Sequence, residues 1–203
     1  MDQSAAMKPL CPEQVEVARA LILQNALSLL EEARLLFMHG FFARSYTLAH
    51  LASEEIVKIP MLVRAVLDEM AGIPYDWRKL EKRLTSHVKK IDAAHYHDYL
   101  QTDIRADDSD VRAYEDALET TADINEDKNN SIYCGFADGV ATSPLKNIGE
   151  NMARHMIDTS AQRIHYIQSQ EEVTRGILSR GLSEDFLARL RRMWEFMDGK
   201  KGN

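Results

Sequence analysis

The chain has 203 residues, 45% of them hydrophobic, and a formal net charge of -7. This length supplies one domain with a sizeable core, and the acidic balance argues against binding nucleic acid over the whole surface. Two cysteines exclude a disulfide scaffold, and without a signal-peptide pattern or an apolar run of about 20 residues we expect a cytoplasmic protein that does not bind membranes.

Helix-favouring residues dominate the sequence, and nine glycines and five prolines leave few breaks between elements. We predict an all-α fold, a bundle of about five to six helices with one ordered loop that carries a short β-prone segment. The predicted helical domain covers residues 13–198, preceded by a flexible N-terminus at residues 1–12 and followed by a flexible tail at residues 199–203.

Three helices are predicted in the first half of the chain. The first covers residues 12–38, from a proline favoured at helix starts to a stop before Gly40. The second carries residues 44–58 and continues toward residue 70, with a kink or restart at Pro60 because proline lacks a backbone donor. The third covers residues 77–100.

The second half of the chain alternates loops and helices. The acidic, short-sided segment at residues 102–110 predicts a mobile loop. Residues 125–145 are rich in asparagine, aspartate and glycine and contain the β-prone run at residues 131–136, which predicts an ordered loop packed on the helices. Further helices are predicted at residues 111–124, 146–178 and 183–197.

The second predicted helix carries charges beside its apolar face. Arg44, Glu55 and Lys58 lie at one edge of that face, and His50 and Glu54 share a neighbouring wedge. Charged side chains at a core edge are unfavourable unless they are paired. This helix therefore holds either a structural ion-pair network or a functional site.

Two kinds of metal site receive little support. Di-iron sites in helical bundles use Glu-x-x-His pairs, and none of the seven histidines has a glutamate three residues before it. A site built from His87, His97-Asp98 and Asp123 would be similar to that of helical phosphohydrolases, but His95 and His97 point to nearly opposite sides of a helix. We therefore predict no metal ligands and no cofactor.

Arg44 and His50 match the Arg-x(4–6)-His spacing of the HEPN ribonuclease superfamily. In such a pair the histidine transfers protons and the arginine stabilises charge that develops on phosphate. The spacing occurs here about as often as chance predicts, and residues six apart on a regular helix lie about 120° from each other. The alternative is an Arg44 that pairs with a glutamate and a His50 on the helix surface.

Residues 78–90 form the concentrated basic segment of this acidic chain, and we expect it to attract RNA. Its cations are Arg78, Lys79, Lys82, Arg83, Lys89 and Lys90.

His87 lies within this basic segment. Neighbouring lysines disfavour its protonated form, which leaves a neutral imidazole able to accept a proton near pH 7. If the second and third predicted helices pack antiparallel, His87 approaches the region of Glu54 and Glu55. The alternative is a partly buried histidine bonded to a carboxylate for structural reasons.

Three separate segments carry a pattern whose order and spacing are more specific than any one of them. They are residues 25–59, the Ser-His-x-x-Lys of residues 86–90, and residues 128–139 followed by Ser143-Pro144. Together they resemble the AbiV family of bacterial abortive-infection proteins. The positions that match are Arg44, Tyr46, Glu54, Glu55, Lys58, His87, Lys90, Lys128, Asn129, Tyr133, Asp138 and Gly139.

The resemblance implies a cytoplasmic helical protein of phage defence with HEPN-like architecture, associated with shutdown of translation. The family often has an aliphatic residue at the position of His50, which shifts attention to Arg44, Glu55 and His87. We expect a homodimeric effector or regulator that acts on RNA, with a metal-independent endoribonuclease as its catalytic form. Arg44 would contact phosphate, and His87 or His50 would transfer protons. Glu54 and Glu55 would orient the bases.

A non-catalytic interaction module is the alternative from another class. Such a protein would bind a phage product or a host translation component through residues 103–110 or 125–145. Arg44, Glu54 and their charged neighbours would then be a buried network that fixes the packing of the helix.

Overall fold

A computed structural model describes residues 7–101 and 108–201 of the chain. Within these residues, nine helices of nine or more residues and two of four residues accompany a two-stranded antiparallel hairpin. The all-α prediction is confirmed, but the helices outnumber the expected five or six because four predicted helices are interrupted. None of the helices in the described ranges is long and apolar enough to cross a membrane.

The elements follow one another along the chain with short connections. In order they are α1 Pro12–Met38, α2 Phe42–Ile56, α3 Lys58–Met70, α4 Trp77–Thr85, α5 His87–Gln101, α6 Asp108–Glu119, α7 Thr121–Asn130, β1 Gly135–Ala137, β2 Val140–Thr142, α8 Pro144–Asn147, α9 Glu150–Thr174, α10 Ile177–Arg180 and α11 Glu184–Lys201.

The predicted restart near Pro60 falls three residues earlier, at Val57. Pro60 lacks the N–H that would bond the carbonyl oxygen of Ile56, and α2 ends at Ile56. Val57 links the two helices with φ -72° and ψ -8°. Pro60 then occupies the first turn of α3, where a missing N–H leaves no intrahelical bond unmade.

A second interruption separates α4 from α5 at Ser86, where one continuous helix was predicted. Ser86 has extended backbone angles, φ -84° and ψ 120°, which end α4. Its Oγ accepts a hydrogen bond from the backbone N–H of Lys89 at 3.3 Å, as the cap of a helix start does. His87 is therefore the first residue of α5 and not a mid-helix residue.

The predicted ordered loop contains the end of α7 and a hairpin. Lys128 and Asn129 belong to the last turn of α7. Of the β-prone run at residues 131–136, only Gly135 and Phe136 lie in a strand, β1, which pairs with β2 in the register Gly135–Thr142. Asp138 and Gly139 connect the strands with φ of 50° and 78°, the positive angles that favour an Asp-Gly two-residue turn.

The C-terminal part is likewise more divided than predicted. Residues 146–178 contain parts of α8 and α10 as well as α9, and Gly176 interrupts the chain after α9 with φ 70°. Helix α11 continues to Lys201, into the segment expected to be a flexible tail. Half of the N-terminus that was predicted to be flexible, residues 1–6, lies outside the described residues. So do most of the acidic loop, residues 102–107, and the end of the tail, residues 202–203.

The main core forms where α2 packs against α1 and α9. Fully buried alanines, among them Ala26, Ala33 and Ala49, let the three helices approach closely. The Ser45 hydroxyl donates to the carbonyl oxygen of Ala33 at 2.8 Å, and the Ser160 hydroxyl donates to that of Ala49 at 2.7 Å. Helix α2 is thus tied to both neighbours and provides a rigid support for its polar side chains.

A second core fixes the approach to α5. Leu62 of α3, Trp77 and Leu80 of α4, and Leu178 of α10 are buried together with Val15 of α1. Burying a side chain of this size stabilises the fold by roughly 2 kcal/mol. Because α4 is anchored here and leads directly into Ser86, this core also sets the position of the first turn of α5.

Candidate functional site

Three basic side chains converge on the carboxylate of Glu54, which is only 3% exposed on α2. His50 donates from Nε2 to Oε1 at 2.9 Å, one turn earlier on the same helix. From the first turn of α5, His87 donates from Nδ1 to Oε2 at 2.7 Å and Lys90 Nζ lies 2.6 Å from the same oxygen. We call these four residues the Glu54 cluster.

The local sequence explains how the cluster assembles. His50 and Glu54 are four residues apart on α2, and His87 and Lys90 are three apart on α5, so each pair projects from one helix face. The extended Ser86 starts α5 at His87 and places this face opposite α2. A buried carboxylate is tolerable because three donors surround it.

The cluster keeps Glu54 ionised. Burial by itself raises the pKa of Glu54, but the hydrogen bonds that His50 and Lys90 donate, together with the positive charge of Lys90, outweigh burial and lower this pKa to about 2. An ionised carboxylate only accepts hydrogen bonds, so His87 Nδ1 and His50 Nε2 both carry a hydrogen.

The two imidazoles differ in their access to solvent. The His87 side chain is 45% exposed, and its Nε2 has no hydrogen-bond partner among the described residues. In the neutral ring this nitrogen is a proton acceptor whose orientation the carboxylate fixes. His50 is not a surface residue, since it is only 2% exposed, and its buried Nδ1 lacks a partner within the described part of the chain.

A cavity of about 440 Å³ adjoins the cluster between α2, α5, α7 and α9. His50, Glu54 and Lys90 contribute to its wall. On the α9 side of the cavity, Arg163 Nη2 donates to Oδ2 of the Asp98 carboxylate at 2.5 Å. Nη1 of the same guanidinium donates to the Ser53 hydroxyl, which also lines the cavity. The two wall cations, Lys90 and Arg163, thus each face a carboxylate.

Arg44 lies apart from this arrangement. Its exposed guanidinium donates to the backbone carbonyl oxygens of Ser131 and Ile132, at 3.4 and 3.3 Å, just after α7. Helix α2 is uninterrupted from Phe42, so the six-residue offset from His50 is that of a regular helix. The structure therefore brings His50 and His87 to one carboxylate and leaves Arg44 as a link to the hairpin segment.

The predicted RNA-binding cations divide into two groups. Lys90 is buried in the Glu54 cluster, and Lys89 pairs with Asp92 at 3.0 Å. The remaining four have no acidic side chain within ion-pair distance in the described ranges, and most of them border a groove of about 780 Å³ between α3, α4 and α5. These four are Arg78, Lys79, Lys82 and Arg83.

Comparison with known families decides the membership of the chain. The family model for AbiV, of the HEPN group, matches residues 14–165, from α1 into α9, and this match includes the whole Glu54 cluster. The chain belongs to the AbiV family. It is therefore an abortive-infection protein of phage defence with HEPN-like helical architecture. No curated protein and no solved structure matches the chain.

The positions of Glu55 and Lys58, which the AbiV resemblance singled out, form a separate ion pair. Lys58 Nζ lies 2.6 Å from Glu55 Oε2, and both side chains are partly buried. Neither makes a hydrogen bond or ion pair with the Glu54 cluster within the described residues. Of the two adjacent glutamates, Glu54 is the one that His87 contacts.

The AbiV loop positions lie around the hairpin and not in the cluster. Lys128 is buried in α7, and the Asn129 carbonyl oxygen accepts from the backbone N–H of Tyr133 at 2.9 Å. Tyr133 is exposed, and Asp138 occupies the turn. These positions therefore lie on α7 and in the hairpin, outside the Glu54 cluster.

No sequence signal pointed directly to the contribution of α9 to the cavity wall. Arg163 is 65 residues from Asp98, and no local motif joins them. One signal was available: Arg163 lies between Ser160 and Ile167 on a helix whose buried residues recur with helical spacing. A charged residue beside that buried face predicts a buried partner.

The histidines of α5 that were weighed as metal ligands separate in the structure. His95 borders the 440 Å³ cavity, whereas His97 accepts a hydrogen bond from Gln101 at 2.8 Å and borders the groove on the other side. Asp98 is bound to Arg163. Among the residues that the structure describes, no group of three or more His, Cys, Asp or Glu is placed to hold a metal ion.

Proposed function

We propose that this AbiV-family protein is a metal-independent endoribonuclease in which His87, oriented by Glu54, accepts the proton of the attacking hydroxyl. The observation that supports the proposal is the pairing of a buried, ionised carboxylate with a histidine whose second nitrogen faces outward. Carboxylate–histidine pairs of this kind fix the tautomer and direction of a general base.

The proposed reaction needs no group beyond RNA and water. His87 Nε2 takes the proton of a ribose 2′-hydroxyl, O2′ bonds to the adjacent phosphorus, and the bond from phosphorus to O5′ breaks. The leaving O5′ takes a proton from water, and the imidazolium returns its proton to the hydroxide that remains. The products are a 2′,3′-cyclic phosphate and a 5′-hydroxyl.

The unpaired cations of α4 support RNA as the substrate. The groove between α3, α4 and α5 is bordered by three of them, Lys79, Lys82 and Arg83. Ser86 and Lys89, on either side of His87 in the sequence, also line this groove. Free cations attract a phosphate backbone through release of its counterions. Tyr96 is exposed in the same groove, which other aromatic side chains also line. Unpaired bases can stack on such rings.

The decisive experiment is cleavage of total RNA by purified protein in EDTA. The native protein should cleave, and His87→Ala should slow cleavage by at least about a hundredfold because it removes the general base. His165→Ala, at an exposed position on α9, is the matched control and should cleave normally. Cleavage by His87→Ala at the native rate would remove His87 from the proposal.

A second function is supported by the hairpin, whose apolar side chains face solvent. Phe136 is 83% exposed and Val140 is 66% exposed, on strands that pair with each other. Phe136 pairs with Ala141 and Val140 with Ala137, so the two exposed side chains project from opposite faces of the hairpin, and each gives a bound protein an apolar contact to cover. We propose as the second candidate that the hairpin binds a phage protein or a host translation component.

This second function has its own variant. Replacing both Phe136 and Val140 by serine should abolish phage protection in cells while the purified protein still cleaves RNA. Val173→Ser, at a 77% exposed position on α9, is the control and should protect normally. Full protection by the double variant would exclude the hairpin as the binding surface.

A further inference from the structure

The 440 Å³ cavity beside the Glu54 cluster has two buried polar atoms that nothing in the described chain satisfies. They are Nδ1 of His50 and Nε2 of His95, which belong to opposite walls on α2 and α5. Both residues are at least nine-tenths buried. Buried polar atoms in folded proteins nearly always have a partner, so the cavity is built to receive a molecule that supplies hydrogen bonds.

The protonation of the two rings indicates what such a molecule offers. His50 donates through Nε2 to Glu54, so in the neutral ring its Nδ1 is an acceptor. Burial, followed by the positive charge of Arg163, lowers the pKa of His95, which keeps that ring neutral at pH 7 and leaves it one acceptor nitrogen. Asp127 on the α7 side adds carboxylate oxygens. The ligand is therefore one that donates hydrogen bonds.

The charges of the wall argue against a phosphate inside the cavity. Lys90 is bound to Glu54, and Arg163 is bound to Asp98, so both wall cations already have an anionic partner. An anion placed here would also meet the carboxylate of Asp127. A neutral ring with N–H groups fits this balance better than an anion does.

The remaining wall is apolar and suits a flat ring. Ile91 and Ala94 of α5 face the cavity together with Met152 and Met156 of α9. Methionine sulfur makes favourable contacts with aromatic rings, and a volume of about 440 Å³ is within the range of small-molecule sites. His87 lies on the same face of α5 as Ala94, two turns closer to the start of the helix.

We propose that this cavity binds a nucleobase that carries an amino group, adenine, guanine or cytosine, splayed out of the RNA strand beside His87. The exocyclic amine would donate to the free histidine nitrogens, and the phosphates would stay outside with the free cations of α4. That the base belongs to cleaved RNA rests on the proposed function, whereas binding of the base by itself does not. Proteins that read RNA sequence commonly capture bases that have left the stack.

Calorimetric titration with free nucleosides tests the proposal without any cleavage. Adenosine, guanosine and cytidine should bind, and uridine, which lacks an amino group, should bind about tenfold more weakly. His95→Phe keeps the ring shape but removes the acceptor, so it should weaken adenosine binding about tenfold. His165→Phe on the surface of α9 should bind adenosine as the native protein does.

A second variant protects the test against a folding defect. Ala94→Met extends a side chain into the cavity and should abolish binding, and the Tm of both cavity variants shows whether they fold. Three results would overturn the proposal: binding of none of the nucleosides, equal binding of uridine, or adenosine binding that neither variant changes. The first and third results would show that the cavity holds no base, and the second would show that it holds a base without recognising an amino group.

The outcomes also separate this proposal from the endoribonuclease. Adenosine binding that depends on His95, in a protein that cleaves no RNA, would leave the nucleobase site standing and remove the reaction. Cleavage that depends on His87, in a protein that binds no nucleoside, would do the reverse. Inorganic phosphate that competes with adenosine at the cavity would contradict its selectivity for a neutral ring.

Discussion

Glu54 shows how one residue can be required by both the fold and the proposed chemistry. Its buried carboxylate balances Lys90 and orients two imidazoles, the buried ring of His50 and the solvent-exposed ring of His87. The sequence placed Glu55 at one edge of the apolar face and Glu54 in a neighbouring wedge, and the resemblance drew attention to Glu55, whereas His87 contacts Glu54. The choice depends on which neighbouring helix packs against α2, and no local pattern records that contact.

The first prediction concerns the stability that Glu54 provides. Glu54→Gln should lower the free energy of unfolding by roughly 3 kcal/mol, because it leaves the buried Lys90 ammonium without its counter-charge. Glu55→Gln is the matched control at the next position. Its partly buried pair with Lys58 should be worth about 1 kcal/mol or less. Urea unfolding of both variants measures the difference, and equal losses would contradict the central place of Glu54.

The second prediction concerns acid. The pKa of Glu54 lies at about 2 in the folded protein and starts from 4.5, so the folded state favours the ionised form. A lowered folded pKa stabilises the protein fully above the unfolded pKa, and that stabilisation disappears as the pH falls from about 4.5 to about 2. Unfolding free energies between pH 6 and 2 should therefore converge for the native protein and Glu54→Gln. A constant difference down to pH 2 would contradict the lowered pKa.

At the scale of elements, the breaks between helices decide where the site residues point. Pro60 indicated the break before α3, because proline lacks the backbone N–H that a helix interior requires. The break at Ser86 was missed because the apolar spacing continues on both sides of it. Predicting this break required interpreting Ser86 as the cap of a new helix that begins at His87.

The third prediction assigns Ser86 a positioning role. Ser86→Ala should cost about 1 kcal/mol of stability and slow RNA cleavage, because the first turn of α5 and His87 lose their anchor. Ser86→Thr keeps the hydroxyl and should restore cleavage. Ser183→Ala removes a cap of the same length, 3.3 Å to the N–H of Phe186, at the start of α11. It should lose similar stability without slowing cleavage, and equal loss of cleavage would contradict the role of Ser86.

The fourth prediction concerns the groove beside α4. Lys82→Ala should weaken RNA binding and reduce the slope of log affinity against log salt concentration by roughly 0.7, the value for one lost contact to a single strand. Lys146→Ala, exposed on α8 and outside the groove, should leave the slope unchanged. Fluorescence titrations at several salt concentrations measure both, and identical slopes would exclude Lys82 from the RNA path.

At the scale of the whole molecule, composition was enough to predict an all-α protein, and three spaced segments were enough to indicate the AbiV family. The sequence predicted the approach of His87 to the region of Glu54 and Glu55 only on the condition that their helices pack antiparallel. It carried no direct sign of the pair formed by Arg163 and Asp98. His87 meets Glu54 across 33 positions, and Arg163 meets Asp98 across 65. Such contacts follow from how α5 and α9 pack on α2, and periodicity defines faces but not partners. The expected homodimer stays a prediction, for which light scattering should give twice the chain mass of 23.1 kDa.

The central claim is that His87 on Glu54 drives RNA cleavage through the ribose 2′-hydroxyl. Mass spectrometry of the ends produced in EDTA tests this most directly. The native protein and His165→Ala should yield 2′,3′-cyclic phosphates and 5′-hydroxyls, and His87→Ala should yield neither. Fragments with 3′-hydroxyls and 5′-phosphates, or cyclic phosphates formed equally well by His87→Ala, would contradict the mechanism.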